Sequence, residues 1–345
     1  MDEITDNNPK ILEKLVGRLV KPDAPQVSIV IPAYDIAEYI ADTLDSALAQ
    51  TFQDFEIIVV NDGSPDTVQL EKVLVDYFDK VIYIKQENGG AAAARNAAIS
   101  VARGSLLAFL DGDDVWYPEK LAEQTTFLQK NDFEMVYCDA LLFGKPLYEG
   151  KTFMQGAPSK GQVTLESLLE GRCNVLTSGT IVFKDLVVKH GLFDAKAVRI
   201  EDFELWFRLC KNRVKIGYQE KVLVKYRIRG GSLTGNNIEK AERGIAALEL
   251  VKDKNDLTES ELRAYENQLT LLKSELSLER GKHNLVNKSF AEARRNFAEA
   301  NIYRRDFKLQ ALMWLLVISP NLVFKLFKIL RSAEFSYINP DNFSK

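Results

Sequence analysis

"SLLAFLDGDDVW", residues 105–116, runs from an uncharged apolar stretch straight into three carboxylates, Asp111, Asp113 and Asp114. The apolar part shows no polar alternation, so it reads as a strand covered on both faces, the habit of parallel sheets. Carboxylates gathered at the end of such a strand repel one another, and each loses hydration unless something neutralises it. Either the loop is an ordinary solvated turn whose aspartates cap the next helix, or a cation sits there. Hard divalent cations take oxygen ligands and often keep only one or two protein carboxylates, with phosphate oxygens filling other positions.

The neighbouring sequence repeats the pattern. "VSIVI" (27–31), "EIIVV" (56–60) and "VIYI" (81–84) are further apolar runs, and helical spacing separates them. Ile36, Ile40, Leu44 and Leu48 recur at helical spacing, Asp35 and Glu38 have the spacing of a capping box, and "GGAAAARNAAISVA" (89–102) reads as a helix. Strands alternating with helices imply an α/β domain, whose ligands bind beyond the carboxyl ends of the strands. Those ends carry "PAYD", "NDGS", "QENGG" and "DGDD", so four polar or small loops are expected to converge on one edge. Three regions follow from texture: a leader over 1–25, an α/β domain over 26–235 and a helical extension over 236–345.

Composition narrows the chemistry. A formal net charge of −4 over 345 residues argues against a nucleic-acid binder held by phosphate contacts. Three dispersed cysteines make neither a disulfide framework nor a zinc site, and two histidines leave little room for histidine-based catalysis. Carboxylates must carry any reaction. The N-terminus lacks a long apolar segment, so no signal peptide is expected and a cytoplasmic location follows. The first strand is not followed by GxGxxG, and no GxxxxGK[ST] occurs, which removes dinucleotide-binding and P-loop readings.

Taken in order, "VSIVIPAYDIAEYIADTLDSALAQTFQDFEIIVVNDGSPD", "ENGGAAAARNAAISVARGSLLAFLDGDD" and "RIEDFELWFRL" resemble the family-2 inverting glycosyltransferases with the GT-A fold, over roughly residues 26–232. The resemblance implies a mostly parallel central sheet flanked by helices and a nucleotide-diphosphate sugar donor, usually a UDP-sugar. It also implies Mn²⁺ or Mg²⁺, and one-step transfer to a hydroxyl of a glycan or lipid-linked glycan. Matched position by position, Pro32, Ala33, Tyr34 and Asp62 fall on the nucleobase site and Arg95 on the nucleotide pocket. Asp111 falls on the ribose and metal side and Asp113 on the main metal ligand, with Asp114 a third oxygen donor beside them. Glu201 and Asp202 fall on the family's acidic pair, in which the aspartate is the usual catalytic base. Asp202 opens an amphipathic helix, where the helix dipole favours negative charge.

One position departs from the pattern. Where many relatives carry a histidine near the diphosphate, "YRIRGGSLT" (226–234) has Arg229. An arginine cannot ligate a metal but can grip phosphate with two N–H groups. Arg227 and Ser232 are weaker candidates in the same loop.

Beyond residue 236, Thr258 and Glu261 mark a capped helix start, and "SFAEARRNFAEA" (289–300) places Phe290, Ala293 and Phe297 on one face. The apolar stretch "LQALMWLLVISPNLVFKLFKILR" (309–331) is broken by Pro320 and carries Lys325 and Lys328, so a membrane-spanning helix is not expected. Its basic flanks and aromatics leave two readings open, peripheral contact with the inner face of a membrane or a homodimer through these helices. Two other functions compete with the lead reading. A metal-dependent nucleotidyltransferase would need a glycine-rich, basic loop after the first strand, and a non-catalytic helical scaffold would leave the acidic loop without purpose.

Overall fold

Alternation along the first apolar run decides how the sheet is covered. The computed structural model describes residues 9–229 and 237–330. In it, Val27, Ile29 and Ile31 face one apolar cluster, with Ile57, Val59 and the helix residues Ile40 and Leu44. Val30 faces the opposite cluster, with Ile58, Val60, Ile84, Phe109 and Ala94 and Ala98 of the helix Gly90–Val101. Side chains of a strand alternate between faces, so an unbroken apolar run is what burial on both sides demands.

The strands are β1 (Ile11–Val16), β2 (Val27–Ala33), β3 (Phe55–Asp62), β4 (Ile82–Gln86), β5 (Leu106–Phe109), β6 (Val115–Trp116), β7 (Met135–Phe143), β8 (Ile181–Phe183) and β9 (Ile216–Arg227). They form one sheet in the order β1-β4-β3-β2-β5-β8-β7-β9-β6. Strands β4, β3, β2 and β5 run parallel, as do β7 and β9, whereas β8 runs antiparallel to both β5 and β7. The chain is a mixed α/β fold with a large central sheet and a helical C-terminal region.

Three local expectations need correction. The leader over 1–25 contributes an edge strand, since β1 pairs antiparallel with β4, with Lys14 opposite Ile84. All six β1 residues are exposed, so main-chain hydrogen bonds hold it and no burial periodicity marks it. The apolar run 27–31 stops at Ile31, but the strand does not: Pro32 pairs with Val60 inside β2. Its missing N–H is tolerated because pairing with β5 has stopped at Val30. Asp35 does not cap a helix: it has φ of 53°, its N–H donates to Ser64 Oγ, and the helix begins at Ile40.

The chain divides into two compact units, Met1–Gly230 and Gly231–Lys345. In the second, helices span Asn237–Lys254, Glu259–Val286, Phe290–Arg304, Phe307–Ile318 and Pro320–Leu330. The expected capping box is present: Glu261 N–H donates to Thr258 Oγ1 and Thr258 N–H to Glu261 Oε2. Gly281 lets two helices approach closely, because a Cβ there would lie 2.5 Å from the Phe297 ring. Phe297 and Ala293 are buried as the spacing implies. Pro320 takes the first position of the last helix, where its lack of an N–H costs nothing. Among the described residues no helix is long and apolar enough to cross a membrane.

Candidate active site

Each of the parallel strands β2, β3, β4 and β5 ends in one of the polar loops. Asp62 closes β3 at 2% exposure, and the chain itself occupies its carboxylate. Oδ1 accepts from Gln86 Nε2 and from Gly89 N–H, and Oδ2 accepts from Gly90 N–H, at 2.7, 2.9 and 2.8 Å. Asp62 therefore fixes the "QENGG" turn and the start of the next helix, and only the remaining lone pairs of held oxygens are open to a nucleobase. Pro32 is half-buried and Ala33 buried, and Tyr34 stands 48% exposed at the mouth of the same edge.

The three aspartates of the opening stretch separate in kind. Asp114 is 1% exposed; its Oδ1 accepts from Arg227 N–H, and its Oδ2 is buried without a hydrogen-bond partner. Burial first, and then Asp113 and Asp111, push its carboxyl well above the usual carboxylate range. Asp114, expected as a third oxygen donor, is buried and braces the loop, whose carbonyls at Gly112 and Asp114 both accept from Thr43 Oγ1. Asp111 and Asp113 retain side-chain exposures of 30% and 19%. Burial and repulsion from Asp111 raise the Asp113 pKa against the opposing effect of Arg229.

Arg95, expected in the nucleotide pocket, is 5% exposed and joins the two acidic motifs. One guanidinium nitrogen donates to Asp111 Oδ1 at 2.8 Å and another to Glu201 Oε1 at 2.9 Å, and the group lies over the Phe193 ring. Burial works against its charge, yet Asp111 and Glu201 raise its pKa above the ordinary value. Burial pushes the Glu201 carboxyl up, with Arg95 opposing.

Adjacent positions of the helix Glu201–Lys211 thus face different tasks. Glu201 is 8% exposed and committed to Arg95. Asp202 is half-buried; its Oδ2 accepts from Thr177 Oγ1 at 3.0 Å, and its Oδ1 accepts from Phe203 N–H. No basic side chain forms an ion pair with Asp202 among the described residues, and its partners can orient it without supplying a charge.

Two arginines close the edge. Arg229 Nε meets Asp113 Oδ2 at 2.8 Å, while one Nη donates to the Asp35 carbonyl. Arg227 donates from Nε to the Asp113 carbonyl and from Nη2 to Asp42 Oδ2, with its guanidinium over the Tyr39 and Phe143 rings. Ser232 lies outside the described residues.

Sequence reasoning missed the turn Thr177–Gly179. Thr177 holds Asp202, Ser178 Oγ accepts from Asp111 N–H, and the Ser178 carbonyl accepts from Trp116 Nε1. A three-residue turn has no periodicity to find; only its run of small hydroxyl residues, "TSGT" at 177–180, offered a signal. Trp116 and Trp206, at 3% and 2% exposure, are core residues and not sugar platforms. Lys120 was also missed: it is fully buried, its Nζ is 3.9 Å from the Trp116 ring centre, and burial pulls its pKa down to about 7.

Among the described residues no group of three or more His, Cys, Asp and Glu side chains is gathered to hold a metal. Asp111 and Asp113 still fit a cation that brings most of its ligands with a diphosphate, because such a cation needs only one or two carboxylates. Even with Arg95 on Asp111 and Arg229 on Asp113, burial and repulsion from Asp111 still raise the Asp113 pKa, and a divalent cation would relieve that repulsion.

Comparison with known proteins identifies the family and the fold. Residues 28–183 match the family described as glycosyl transferase family 2. An uncharacterised glycosyltransferase of Rickettsia prowazekii is 36% identical over 224 residues, which are 64% of this chain and 69% of that protein. WfaP of Escherichia coli, a UDP-Glc:alpha-D-GlcNAc-diphosphoundecaprenol beta-1,3-glucosyltransferase, is 29% identical over 71% of this chain and 90% of its own length. Among solved structures, the mannosyltransferase PcManGT of Pyrobaculum calidifontis, in complex with GDP-Man and Mn²⁺, superposes with a TM-score of 0.61 at 17% identity. That match covers 92% of this chain and 86% of the other, and it shows the shared fold.

Proposed function

This chain belongs to glycosyl transferase family 2, and from that premise we propose that it moves a sugar from a UDP-sugar to a hydroxyl of a lipid-linked glycan, with inversion at the anomeric carbon. Support for the acceptor class comes from WfaP, whose name specifies a diphosphoundecaprenol-linked sugar. The observation that carries the reading is the locked arrangement of the two acidic motifs. Arg95 bridges Asp111 to Glu201, while Asp113 meets Arg229 and Asp202 has only uncharged partners; the reading assigns Asp113 to the donor side and Asp202 to the acceptor side.

The residues then divide the work. Pro32, Ala33 and Tyr34 form the wall for the nucleobase, with Asp62 setting the turn beside them. Asp113 and Asp111 are the residues that would hold Mn²⁺ or Mg²⁺. A divalent cation there supplies Lewis-acid stabilisation of the negative charge that builds on the departing nucleoside diphosphate. Asp202 accepts the proton of the acceptor hydroxyl as its oxygen forms the new bond to the anomeric carbon; the bond to the diphosphate oxygen breaks and its electron pair leaves with UDP. Thr177 holds one Asp202 oxygen, fixing the carboxylate's direction.

Arg229 occupies the place of the family histidine. Bonded to Asp113 through Nε, it still has guanidinium nitrogens to offer a diphosphate. UDP is therefore expected to bind more tightly than uridine by about tenfold or more, since charged hydrogen bonds contribute roughly 1.5–3 kcal/mol each. Arg229→Ala is expected to shrink that ratio while leaving uridine affinity nearly unchanged. Calorimetric titration of both ligands checks it. Equal affinities for UDP and uridine in the unaltered protein would overturn the diphosphate-donor reading.

A further inference from the structure

We infer that the helices Phe307–Ile318 and Pro320–Leu330 form a docking surface for the interfacial zone of a membrane containing anionic lipid. The inference does not rest on the donor site. It begins with a face that the described residues leave uncovered. Leu309, Met313 and Leu316, at helical spacing, are buried in a cluster with Phe297 and Ala300. Residues 307, 311, 314, 315 and 318, also at helical spacing, form a second apolar stripe that stays exposed among the described residues, with Phe307, Trp314 and Ile318 exposed at 76%, 63% and 75%. The last helix repeats the design: Val323 is buried, and Leu322, Leu326, Ile329 and Leu330 are exposed. Exposed apolar area of this continuity requires a cover.

Charge identifies the cover. Between Phe307 and Leu330 there is no aspartate or glutamate, while Lys308, Lys325 and Lys328 are present and Arg304 and Arg305 precede them, in a chain whose formal net charge is −4. All five are exposed. A cavity of about 920 Å³ between the helices Phe290–Arg304 and Phe307–Ile318 has Arg294 and Arg295, with Glu292, on one side and Trp314 and Val317 on the other. Cationic groups beside an aromatic and aliphatic wall suit an anionic headgroup above acyl chains. Neither helix can span a bilayer, which takes roughly 20 residues, and Pro320 separates them, so the surface lies on a membrane and does not cross it. A second copy fits less well, because a two-fold contact through this face would bring identical basic groups together.

The molecule contains its own probe. Of three tryptophans, Trp116 and Trp206 are buried at 3% and 2%, so a change in emission on adding vesicles reports on Trp314. The experiment mixes the full chain with vesicles of phosphatidylcholine alone and of phosphatidylcholine with phosphatidylglycerol. The expected result is a blue shift, and quenching by brominated acyl chains, with the anionic vesicles only, weakened by salt. The double variant Lys308→Glu, Lys325→Glu, altering exposed side chains, should lower vesicle affinity by about tenfold or more. No shift with anionic vesicles, or equal shifts with both kinds, would overturn the inference. So would a concentration-dependent shift without vesicles accompanied by a dimer in sedimentation, which would assign the face to a second copy.

Discussion

Asp202→Asn is expected to lower sugar transfer by roughly 10²–10⁴-fold while UDP affinity stays within about twofold. Asparagine keeps the shape and can still accept from Thr177 Oγ1, so the turn that orients position 202 is preserved. What it loses is the capacity to take a proton from the acceptor hydroxyl. Glu201→Gln serves as the comparison. Glu201 is buried against Arg95, and glutamine would retain an oxygen for that hydrogen bond, so its effect on turnover should be the smaller of the two. Transfer rates measured beside UDP titrations separate the roles. Normal turnover in Asp202→Asn with a collapse in Glu201→Gln would move the base to Glu201.

Arg95→Met has the largest expected effect on stability, a loss of about 3–5 kcal/mol. Methionine fills much of the space against Phe193, but it leaves Glu201 buried and Asp111 partly buried with no cation between them. An uncompensated buried carboxylate must either remain charged at high cost or take up a proton. Urea unfolding read by tryptophan emission measures the loss, and adding Glu201→Gln to Arg95→Met should recover part of it. An unfolding midpoint unchanged by Arg95→Met would show that the bridge does not organise the two acidic motifs.

The sheet was legible because burial on both faces writes itself into apolar runs, and the loops were legible because strand ends in such sheets converge. The strand Ile11–Val16 was not legible, since an exposed edge strand is held by its backbone and leaves no pattern of side chains. Arg95 was found as a site residue, but its ion pairs were not. Its guanidinium meets Glu201 at a separation of 106 positions, and no local spacing encodes such a contact. For the same reason the division of labour between Glu201 and Asp202 could not be read from the pair itself. It depends on Thr177 and Arg95, which approach the helix from other parts of the chain. Asp114 looked equivalent to Asp111 and Asp113 in sequence; the Arg227 backbone, arriving from β9, is what draws it inward.

On the proposed function, Asp113 and Asp111 bind a nucleoside diphosphate through a divalent cation. Unfolding in urea, followed with UDP in the presence of Mn²⁺ and again in EDTA, tests it most directly. With UDP at about 100 times its dissociation constant, binding to the folded state alone adds roughly 2.7 kcal/mol. The predicted result is that this gain appears with Mn²⁺, largely disappears in EDTA, and is lost in Asp113→Asn without a fall in the stability of the ligand-free protein. An equal gain from UDP in EDTA, or a gain retained in full by Asp113→Asn, would contradict the account.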